Sequence, residues 1–455
     1  MRVDLAALDK SLIAEAWTSP DLYANLEALC ALGSRFAGTP SEALARDFIA
    51  AKFRSYGLEN VQLDSFEYLG WWRGACSLKV ISPRPAALDA ISLVYSPSTA
   101  PAGLSAPLVD VGMGTEKEYA RVKEPLAGKI VLCSSANPEE GPQPHRREKY
   151  GRAVSDGAIG FIYMRHLPGG LAETGSLRPG RLGEIPAVAV SYEDGFALKR
   201  LLDKGEVVVT LAVQNESHPT TSWHILGDVP GQTRQVIVVG AHYDGHDISQ
   251  GAMDDASGVC LVLELARLFA PLRGQLHRTI RLMGIACEEM GVLGSTEYVK
   301  AHSEEMKGIA LMMNLDAAVG NGPKGFGYAG LDEVEALLKR VAKETGYPLH
   351  LSDRIVTASD NFPFFMAGVP AITMHARGMD RALGRGYGHT AMDTLDKVNE
   401  RDMKECAMVA ARVLLRLAGQ AEPVGRHRTA DEIRNLLVEQ ELEQSLRAQD
   451  KWPFA

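Results

Sequence analysis

The chain has 455 residues, of which 46% are hydrophobic and 23% charged, and its formal net charge is −9. This length predicts two or three domains, and the composition is typical of a globular protein with a large core. The negative charge and the lack of a long basic run argue against nucleic acid and anionic membranes as partners.

The N-terminal segment lacks the features of a secretory signal. Asp4, Asp9 and Lys10 interrupt the apolar stretch that a signal peptide needs, and no segment reaches the roughly 18 apolar residues that span a bilayer. We therefore expect a cytoplasmic protein. The six cysteines are scattered without a CxxC pair, which predicts reduced thiols.

The first half of the chain contains two regions with different sequence patterns. Residues 21–57 have the apolar spacing of two helices, and residues 61–68 alternate like a strand. From about residue 91 to 219, short β-like runs are separated by many prolines and glycines, which predicts an inserted β-rich domain. These runs are residues 108–111, 129–132, 159–164, 187–190 and 207–213.

From residue 236 onward, strands and helices alternate, which predicts a three-layer α/β/α sandwich with a mixed, mostly parallel central sheet. The expected strands are 236–240, 279–286, 309–315 and 371–374, and the expected helices are 257–269, 333–345 and 403–418, with another beginning at 295–301. Ligands of such sheets gather at strand ends.

The C-terminal segment, residues 421–455, has a pattern of its own. Thr429 and Glu432 form a capping box there, which predicts a helix packed on the main body or on a second subunit.

Six acidic and imidazole side chains lie at or near the ends of apolar runs in the second half of the chain. Two histidines and three carboxylates suit a pair of zinc ions with one bridging carboxylate. An additional glutamate can accept a proton from the attacking water, so the set predicts hydrolysis. The candidate ligands are His242, Asp254, Glu289, Asp316 and His389, and the additional glutamate is Glu288.

Two local patterns support this interpretation. His242 and Asp244 are two residues apart at a strand end, so both side chains leave on one side, and Asp244 can accept the other imidazole N–H. Two zinc ions roughly 3.5–4 Å apart repel each other and need an anion between them. Asp254 is the candidate bridge, and Asp255 is expected to support its loop.

The other candidates follow strands or lie in a glycine-rich loop. We expect Glu288 and Glu289 to continue an extended strand, so that one carboxylate faces a metal and its neighbour faces water. An unpaired buried carboxylate at Asp316 would be costly without a cation. His389 lies in a glycine-rich loop with Asp393 close by.

The remaining histidines lack such a setting, and we expect them to be surface or packing residues. His246 is the nearest competitor as a ligand, because it shares the loop of His242. The same expectation applies to His277, His302 and His375.

These motifs closely resemble the M28 family of zinc peptidases, over roughly residues 20–420. The matching stretches are AHYDGHDISQGAMDDASG, EEMGVLGSTEYV, NLDAA, SDNFPFFMAGVPA and HTAMDT, with LGSRFAGTPSEALARDFIAAKFRSYGL as the opening helices. The resemblance implies that His242 and Asp316 hold one zinc ion and that Glu289 and His389 hold the other. It further implies a bridge by Asp254, a cis peptide bond between Asp254 and Asp255, and Glu288 as both base and acid. Cobalt or manganese can replace zinc in such a site.

The inserted segment resembles the protease-associated (PA) domain through LAGKIVLC, DGAIGFIYM and IPAVAVSYEDGFALKRLL. Such domains cover or shape a substrate cleft. The expected organisation is a discontinuous peptidase domain (1–90 and 220–420), a PA domain (91–219) and a C-terminal helical extension (421–455). Peptides are the expected substrates, and a homodimer is one option.

Two departures from the family bear on specificity. Several aminopeptidases of the family have a Tyr just before the SD segment, but Val356 and Thr357 stand here, so the oxyanion donor is a zinc ion, Tyr387 or a backbone amide. QGAMDD is similar to the plasma carboxypeptidase/dipeptidase branch. An aminopeptidase is our main prediction, and a carboxypeptidase or dipeptidase is the alternative. The arginines that could bind a terminal carboxylate are Arg377, Arg381 and Arg385.

Three rival classes fit less well. M20-type metallopeptidases insert a lid domain between the later ligands, and the chain between Asp316 and His389 is too short for one. Receptor-like relatives without metal would have lost ligands, whereas all six groups are present. Glutaminyl-cyclase-like transferases share the fold, but usually lack a PA insertion and hold a single catalytic zinc.

Overall fold

The structure, a computed structural model, describes residues 5–122, 125–141, 143–376 and 384–454. Its contacts divide the chain into two compact units. The first comprises the residues up to Glu67, Thr221–Gly388 and Met392–Gln440, and the second comprises Tyr68–Thr220, His389–Ala391 and the residues from Glu441 onward.

The helices of the described residues are mostly amphipathic or buried segments between strands. In chain order they are α1 (Leu5–Trp17), α2 (Asp21–Ala31), α3 (Pro40–Tyr56), α4 (Glu116–Arg121), α5 (Arg146–Ser155), α6 (Tyr192–Leu202), α7 (Ser257–Phe269), α8 (Leu293–Ala301), α9 (Asp332–Thr345), α10 (Asn361–Met366), α11 (Glu400–Gly419), α12 (Ala430–Glu439) and α13 (Glu443–Ala448).

The strands form two separate sheets. In chain order they are β1 (Glu59–Trp72), β2 (Cys76–Ser82), β3 (Ala86–Leu88), β4 (Ile91–Ser92), β5 (Leu104–Asp110), β6 (Ile130–Ser134), β7 (Gly160–Met164), β8 (Ala187–Val190), β9 (Val208–Val213), β10 (Glu216–Val229), β11 (Val236–His242), β12 (Thr279–Ile285), β13 (Ile309–Asn314), β14 (Lys324–Gly327), β15 (His350–Ser352) and β16 (Ala371–Ala376).

The first sheet has the order β1-β10-β12-β11-β13-β16-β14-β15. Its centre is parallel, since β11 pairs in parallel with β12 and β13, and β13 pairs in parallel with β16. Antiparallel pairs occur at β10 with β12 and at β14 with β16. The predicted three-layer α/β/α sandwich with a mixed, mostly parallel sheet is confirmed.

Helix α7 explains how the apolar pattern becomes the core of this unit. It begins at Ser257 and ends at Phe269, as predicted, and all its residues except Arg267 are buried. The helix packs on β11 and β12, while α2, α3 and α11 pack on it in turn. Such an all-round apolar helix is stable only inside a large core. The core therefore lies directly beneath the end of β11, where the candidate site begins.

The second sheet, in the other unit, has the order β3-β2-β9-β5-β6-β7-β8-β4. Neighbouring residues of its strands enter two different apolar clusters, because successive side chains of a strand point to opposite faces. Leu132 and Ile162 belong to the cluster that includes Leu198 of α6. Val131 and Phe161 belong to the cluster on α5. Both faces of this sheet are therefore covered by helices.

Several elements differ from the sequence-based expectations. Helix α1 and the long strand β10 were not predicted. The first four residues of β10 are exposed, and they end at Pro219, which breaks the pattern expected of a strand. The unit containing the second sheet begins at Tyr68, so residue 91 lies inside that sheet. The C-terminal tail forms two helices: α12 belongs to the first unit, and α13 packs on α5 in the second. Among the described residues, no helix is both long enough and apolar enough to cross a membrane.

Candidate metal centre

Three neighbouring parallel strands bring the candidate residues to one edge of the first sheet. β11 ends at His242, which is in register with Ile285 at the end of β12. On the other side, Gly240 of β11 is in register with Asn314 at the end of β13. The residues that follow β12 and β13 include Glu288 and Asp316. Since parallel strands end at the same edge, distant parts of the chain converge there.

His242, Asp254 and Asp316 form the first ligand group. One potential ligand atom from each lies within 4.8 Å of the other two. The Nε2 atom of His242 is 3.2 Å from Oδ1 of Asp254 and 3.7 Å from Oδ1 of Asp316. The imidazole is buried, and the two aspartates are partly exposed. An imidazole nitrogen and two carboxylate oxygens at these separations match the donor set of a zinc ion.

Asp244 has two roles beside this group. Its backbone oxygen lies 3.1 Å from Nδ1 of His242, and its carboxylate Oδ1 lies 3.6 Å from the same nitrogen. The carboxylate also accepts hydrogen bonds from the backbone N–H groups of Glu288 and Glu289, both at 3.1 Å. Asp244 therefore orients the imidazole and fixes the glutamate pair at the same time.

The glutamate pair does not continue a strand, contrary to the expectation from sequence. β12 ends at Ile285, and Cys287 has a positive φ of 58° that turns the chain. Glu288 and Glu289 lie in a tight turn whose carbonyl at Glu288 accepts hydrogen bonds from Gly291 and Val292. Both glutamates are buried. Their orientation results from this turn and from the Asp244 carboxylate, not from the alternation of an extended strand.

The Asp254–Asp255 segment is held from both sides. The peptide bond between the two residues is cis, as the resemblance implied. The backbone N–H groups of Met253 and Asp254 donate to the carboxylate of Asp393, at 2.8 and 3.1 Å. Oδ1 of Asp255 accepts the backbone N–H of Ala317 at 3.1 Å. Asp255 thus connects the candidate bridging loop to the residue that follows Asp316, in line with its expected supporting role.

His246 and Glu289, both in the first unit, form a second pair of potential ligands, whereas His389 belongs to the second unit. Nε2 of His246 is 2.8 Å from Oε2 of Glu289. Of the two expectations for His246, a surface position is excluded, because its ring is buried beside the candidate ligand Glu289. Nδ1 of His389 is 3.2 Å from the backbone oxygen of Thr174, which can fix its ring orientation.

Asp316 is supported by hydroxyl and amide groups that belong to the SD segment and to β13. Ser359 donates its hydroxyl to Oδ2 of Asp316. The amide of Asn314 donates to Ser359 Oγ at 2.6 Å. The next residue, Asp360, is fully buried and accepts a hydrogen bond from Ser295 at 2.6 Å. The hydrogen bond from Ser359 thus occupies Oδ2 of Asp316, and the other oxygen, Oδ1, lies on the side of His242.

The electrostatics of the first group favour a cation. Burial alone would lower the pKa of His242, but the carboxylates of Asp244, Asp254 and Asp316 outweigh it and raise that pKa well above its ordinary value. Burial and the neighbouring carboxylates raise the pKa of Asp255, and burial raises that of Asp393 to about 6. A field that stabilises a proton on His242 also stabilises a metal ion among the same oxygens. The residues present therefore fit a divalent metal.

The candidate substrate-binding residues are only partly described. Tyr387 ends a short 3-10 turn, Gly384–Tyr387, and Lys397 Nζ lies 5.0 Å from the centre of its ring. Arg377 and Arg381 lie outside the described residues, as does the side chain of Arg385. Their roles stay predictions.

Two further positioning residues were not found from the sequence. Arg35 is fully buried, and its guanidinium donates to the backbone oxygens of Tyr243, Gln250 and Gly251. Ser359 reaches Asp316. Neither residue adjoins a candidate ligand in the sequence, so only the fold could reveal these contacts.

The fold and the clustered donors define a metal-dependent hydrolase of the α/β sandwich class. Family comparison agrees: residues 224–414 match Peptidase family M28, and residues 99–198 match the PA domain. The chain therefore contains a peptidase M28 domain and a PA domain, and it is a metallopeptidase. The predicted resemblance to both families is confirmed.

Known proteins resemble the chain over most of its length. It is 26% identical to carboxypeptidase Q of Rattus norvegicus over 412 residues, covering 87% of this chain and 84% of the relative. A peptidase M28 precursor from Shewanella amazonensis SB2B superposes with a TM-score of 0.78 at 27% identity, covering 93% and 99% of the two chains. BSAP, described as a zinc aminopeptidase from Bacillus subtilis, gives a TM-score of 0.67 at 25% identity, covering 90% and 97%.

Proposed function

We propose that the protein is a zinc exopeptidase with two metal positions, and that it acts as an aminopeptidase on peptides. The observation that carries this proposal is the convergence of His242, Asp254 and Asp316 on one point, beside the turn that holds Glu288 and Glu289. Zinc is favoured because its preferred ligands are imidazole and carboxylate in small, fixed sets. The similarity to BSAP supports the same metal and reaction.

The residues would divide between two metal positions. His242 and Asp316 would hold the first ion, Glu289 and His389 would hold the second, and Asp254 would be shared between them. When bound, zinc polarises the scissile carbonyl and lowers the pKa of water to about 7. Asp254 is suited to a shared position because Asp393 fixes its backbone and its Oδ1 lies beside His242.

Glu288 performs the proton transfers in this proposal. Its backbone is fixed by the Asp244 carboxylate, and its side chain is only 8% exposed, so few waters compete for it. The carboxylate takes a proton from the attacking water as the water oxygen bonds to the carbonyl carbon. The C–N bond then breaks, and Glu288 passes the same proton to the leaving amine.

A carboxypeptidase or dipeptidase is the second candidate, favoured by the similarity to rat carboxypeptidase Q. The two reactions differ in the terminus that must be free. An aminopeptidase needs a carboxylate or carbonyl to bind the substrate ammonium, whereas a carboxypeptidase needs a cation for the substrate carboxylate.

A panel of four substrate classes distinguishes an aminopeptidase from a carboxypeptidase and a dipeptidase. It contains aminoacyl-anilides, free dipeptides, N-acetyl dipeptides and dipeptide amides, assayed after the protein is loaded with zinc. An aminopeptidase cleaves the anilides and dipeptide amides but not the N-acetyl dipeptides. The reverse preference identifies a carboxypeptidase, and cleavage of free dipeptides alone identifies a dipeptidase. If the zinc-loaded protein cleaves none of them, the proposal is wrong.

A further inference from the structure

His246 is a buried histidine of the first unit that the proposed mechanism does not use. It lies four residues after His242, in the loop that leaves β11, and only 2% of it is exposed. Its Nε2 atom is 2.8 Å from Oε2 of Glu289. An imidazole ring in this position must either donate a hydrogen bond to the carboxylate or share a cation with it.

The loop that carries His246 is held rigidly by Arg35. The guanidinium donates to the backbone oxygens of Tyr243 and Gly251, each at 2.9 Å. In return, the backbone N–H of Gly245 donates to the carbonyl of Arg35 at 3.3 Å. A buried arginine that satisfies several carbonyls of one loop fixes the shape of that loop. The backbone on both sides of His246 is therefore held in place by Arg35.

The position of Gly251 reinforces the same geometry. Its φ of 56° lies in the left-handed region, and a Cβ there would come within 2.8 Å of the backbone oxygen of Asp254. A Cβ at Gly251 would also come within 3.5 Å of the Cα of Gly245, so glycine allows the backbone next to His246 to pass close to the start of the Asp254 segment.

We propose that His246 is an additional side-chain ligand of the cation held by Glu289. This inference rests on the proposed function, and it adds a donor to the second metal position. The potential ligand atoms of His246 and Glu289 belong to one group within 4.8 Å, which is the separation expected when both bind one ion at about 2.0–2.2 Å.

The consequence is a difference between the two metal positions. The first has one imidazole, from His242, beside the carboxylates of Asp254 and Asp316. The second has two imidazoles beside the carboxylate of Glu289 and the shared Asp254. Since imidazole suits zinc, cobalt and nickel whereas carboxylates suit manganese and magnesium, the second position discriminates more strongly against manganese.

The experiment compares metal binding by the wild-type protein, His246→Ala and a control, His302→Ala. His302 is a suitable control because its Nε2 lies 2.8 Å from Oδ2 of Asp64, so it makes a similar histidine–carboxylate contact in the same unit. Each metal-free protein is titrated with Co²⁺, followed by calorimetry and by the visible absorption of the bound ion. The imidazole donors are then counted by X-ray absorption spectroscopy of the zinc-loaded forms.

The proposal expects His246→Ala to lose more than about 100-fold in affinity for one of two Co²⁺ equivalents, beyond the range of an outer hydrogen-bond partner. The other equivalent and the His302→Ala control stay as in the wild type. The imidazole count per protein falls by one in His246→Ala. An unchanged count, or an unchanged affinity for both equivalents, overturns the proposal.

Two further outcomes are distinguished by the same measurements. If His246→Ala does not fold by circular dichroism, His246→Gln replaces it, because an amide keeps the bulk of the side chain and can still hydrogen-bond Glu289. Loss of one imidazole in that variant supports ligation, and an unchanged count overturns it. If the wild-type protein binds only one Co²⁺ ion, the proposed two-metal function is wrong. If the wild type and His246→Ala both bind two Co²⁺ ions with the same affinity, only the inference about His246 is wrong.

Discussion

The backbone N–H of Asp254 donates a hydrogen bond to Oδ2 of Asp393 at 3.1 Å, across 139 residues of sequence. The other carboxylate oxygen accepts the N–H of Met253 at 2.8 Å. One buried side chain thus determines where the candidate bridging carboxylate is placed.

Asp393→Asn removes one of these acceptors while keeping the size of the side chain. We expect metal affinity to fall about 10- to 100-fold, as for other residues that orient ligands.

Asp396→Asn is a matched control for this variant. Asp396 lies three residues away, is exposed, and contacts Thr394 and Lys397 instead of the Asp254 loop. Calorimetric titration with Zn²⁺ compares the two variants with the wild type. Equal zinc affinity in Asp393→Asn and Asp396→Asn contradicts the positioning role of Asp393.

Glu288→Gln tests the proton-transfer residue. The amide keeps the shape of the side chain and the backbone hydrogen bond to Asp244, but it cannot accept the proton. We expect kcat to fall about 10²- to 10⁴-fold, with both metal equivalents retained. Metal content by atomic emission and steady-state kinetics on the preferred peptide measure the two effects separately. The exposed Glu304→Gln is the control. Wild-type turnover in Glu288→Gln rejects the role.

Asp254→Ala tests the bridge. Without a shared anion, two dications in adjacent positions repel each other, so we expect the variant to retain less than one metal equivalent after dialysis. Asp255 is not a substitute, because its Oδ1 accepts the backbone N–H groups of Gly258 and Ala317. Retention of two tightly bound metal ions would show that Asp254 does not bridge them.

The layers of the fold could be predicted from the sequence, for identifiable physical reasons. Strands such as β11 and the buried helix α7 are long apolar segments whose pattern is unambiguous. The candidate ligands follow such strands, so their convergence could be expected from parallel topology alone. The order of His242, Asp254 and Asp316 in the chain then matched a family motif.

The remaining details depend on contacts between distant residues. The turn at Cys287 replaced an expected strand, because Asp244 binds the two following N–H groups from another part of the chain. The contact of His246 with Glu289 could not be predicted from the sequence, since no local pattern links His246 to a residue 43 positions later. The cytoplasmic location and the homodimer stay predictions.

The last prediction concerns Glu42, a buried carboxyl at the start of α3. Burial raises the pKa of Glu42 to about 7, although hydrogen bonds from Ser222 and from the N–H of Gly38 partly oppose the increase. A carboxyl whose pKa is raised on folding stabilises the protein in its protonated form. That stabilisation is complete below the unfolded-state pKa of about 4.3, and it is lost as the pH rises through 7.

We therefore expect the free energy of unfolding to fall by on the order of 3 kcal/mol from this group between about pH 4 and pH 8. Glu42→Gln mimics the protonated form and removes this contribution, so its stability should depend less on pH in that interval. Urea unfolding at several pH values measures the effect in metal-free protein, with the exposed Glu27→Gln as the control. If Glu42→Gln and the wild type lose stability equally between pH 5 and pH 8, Glu42 is ionised in the folded protein at pH 5, and burial does not control its titration.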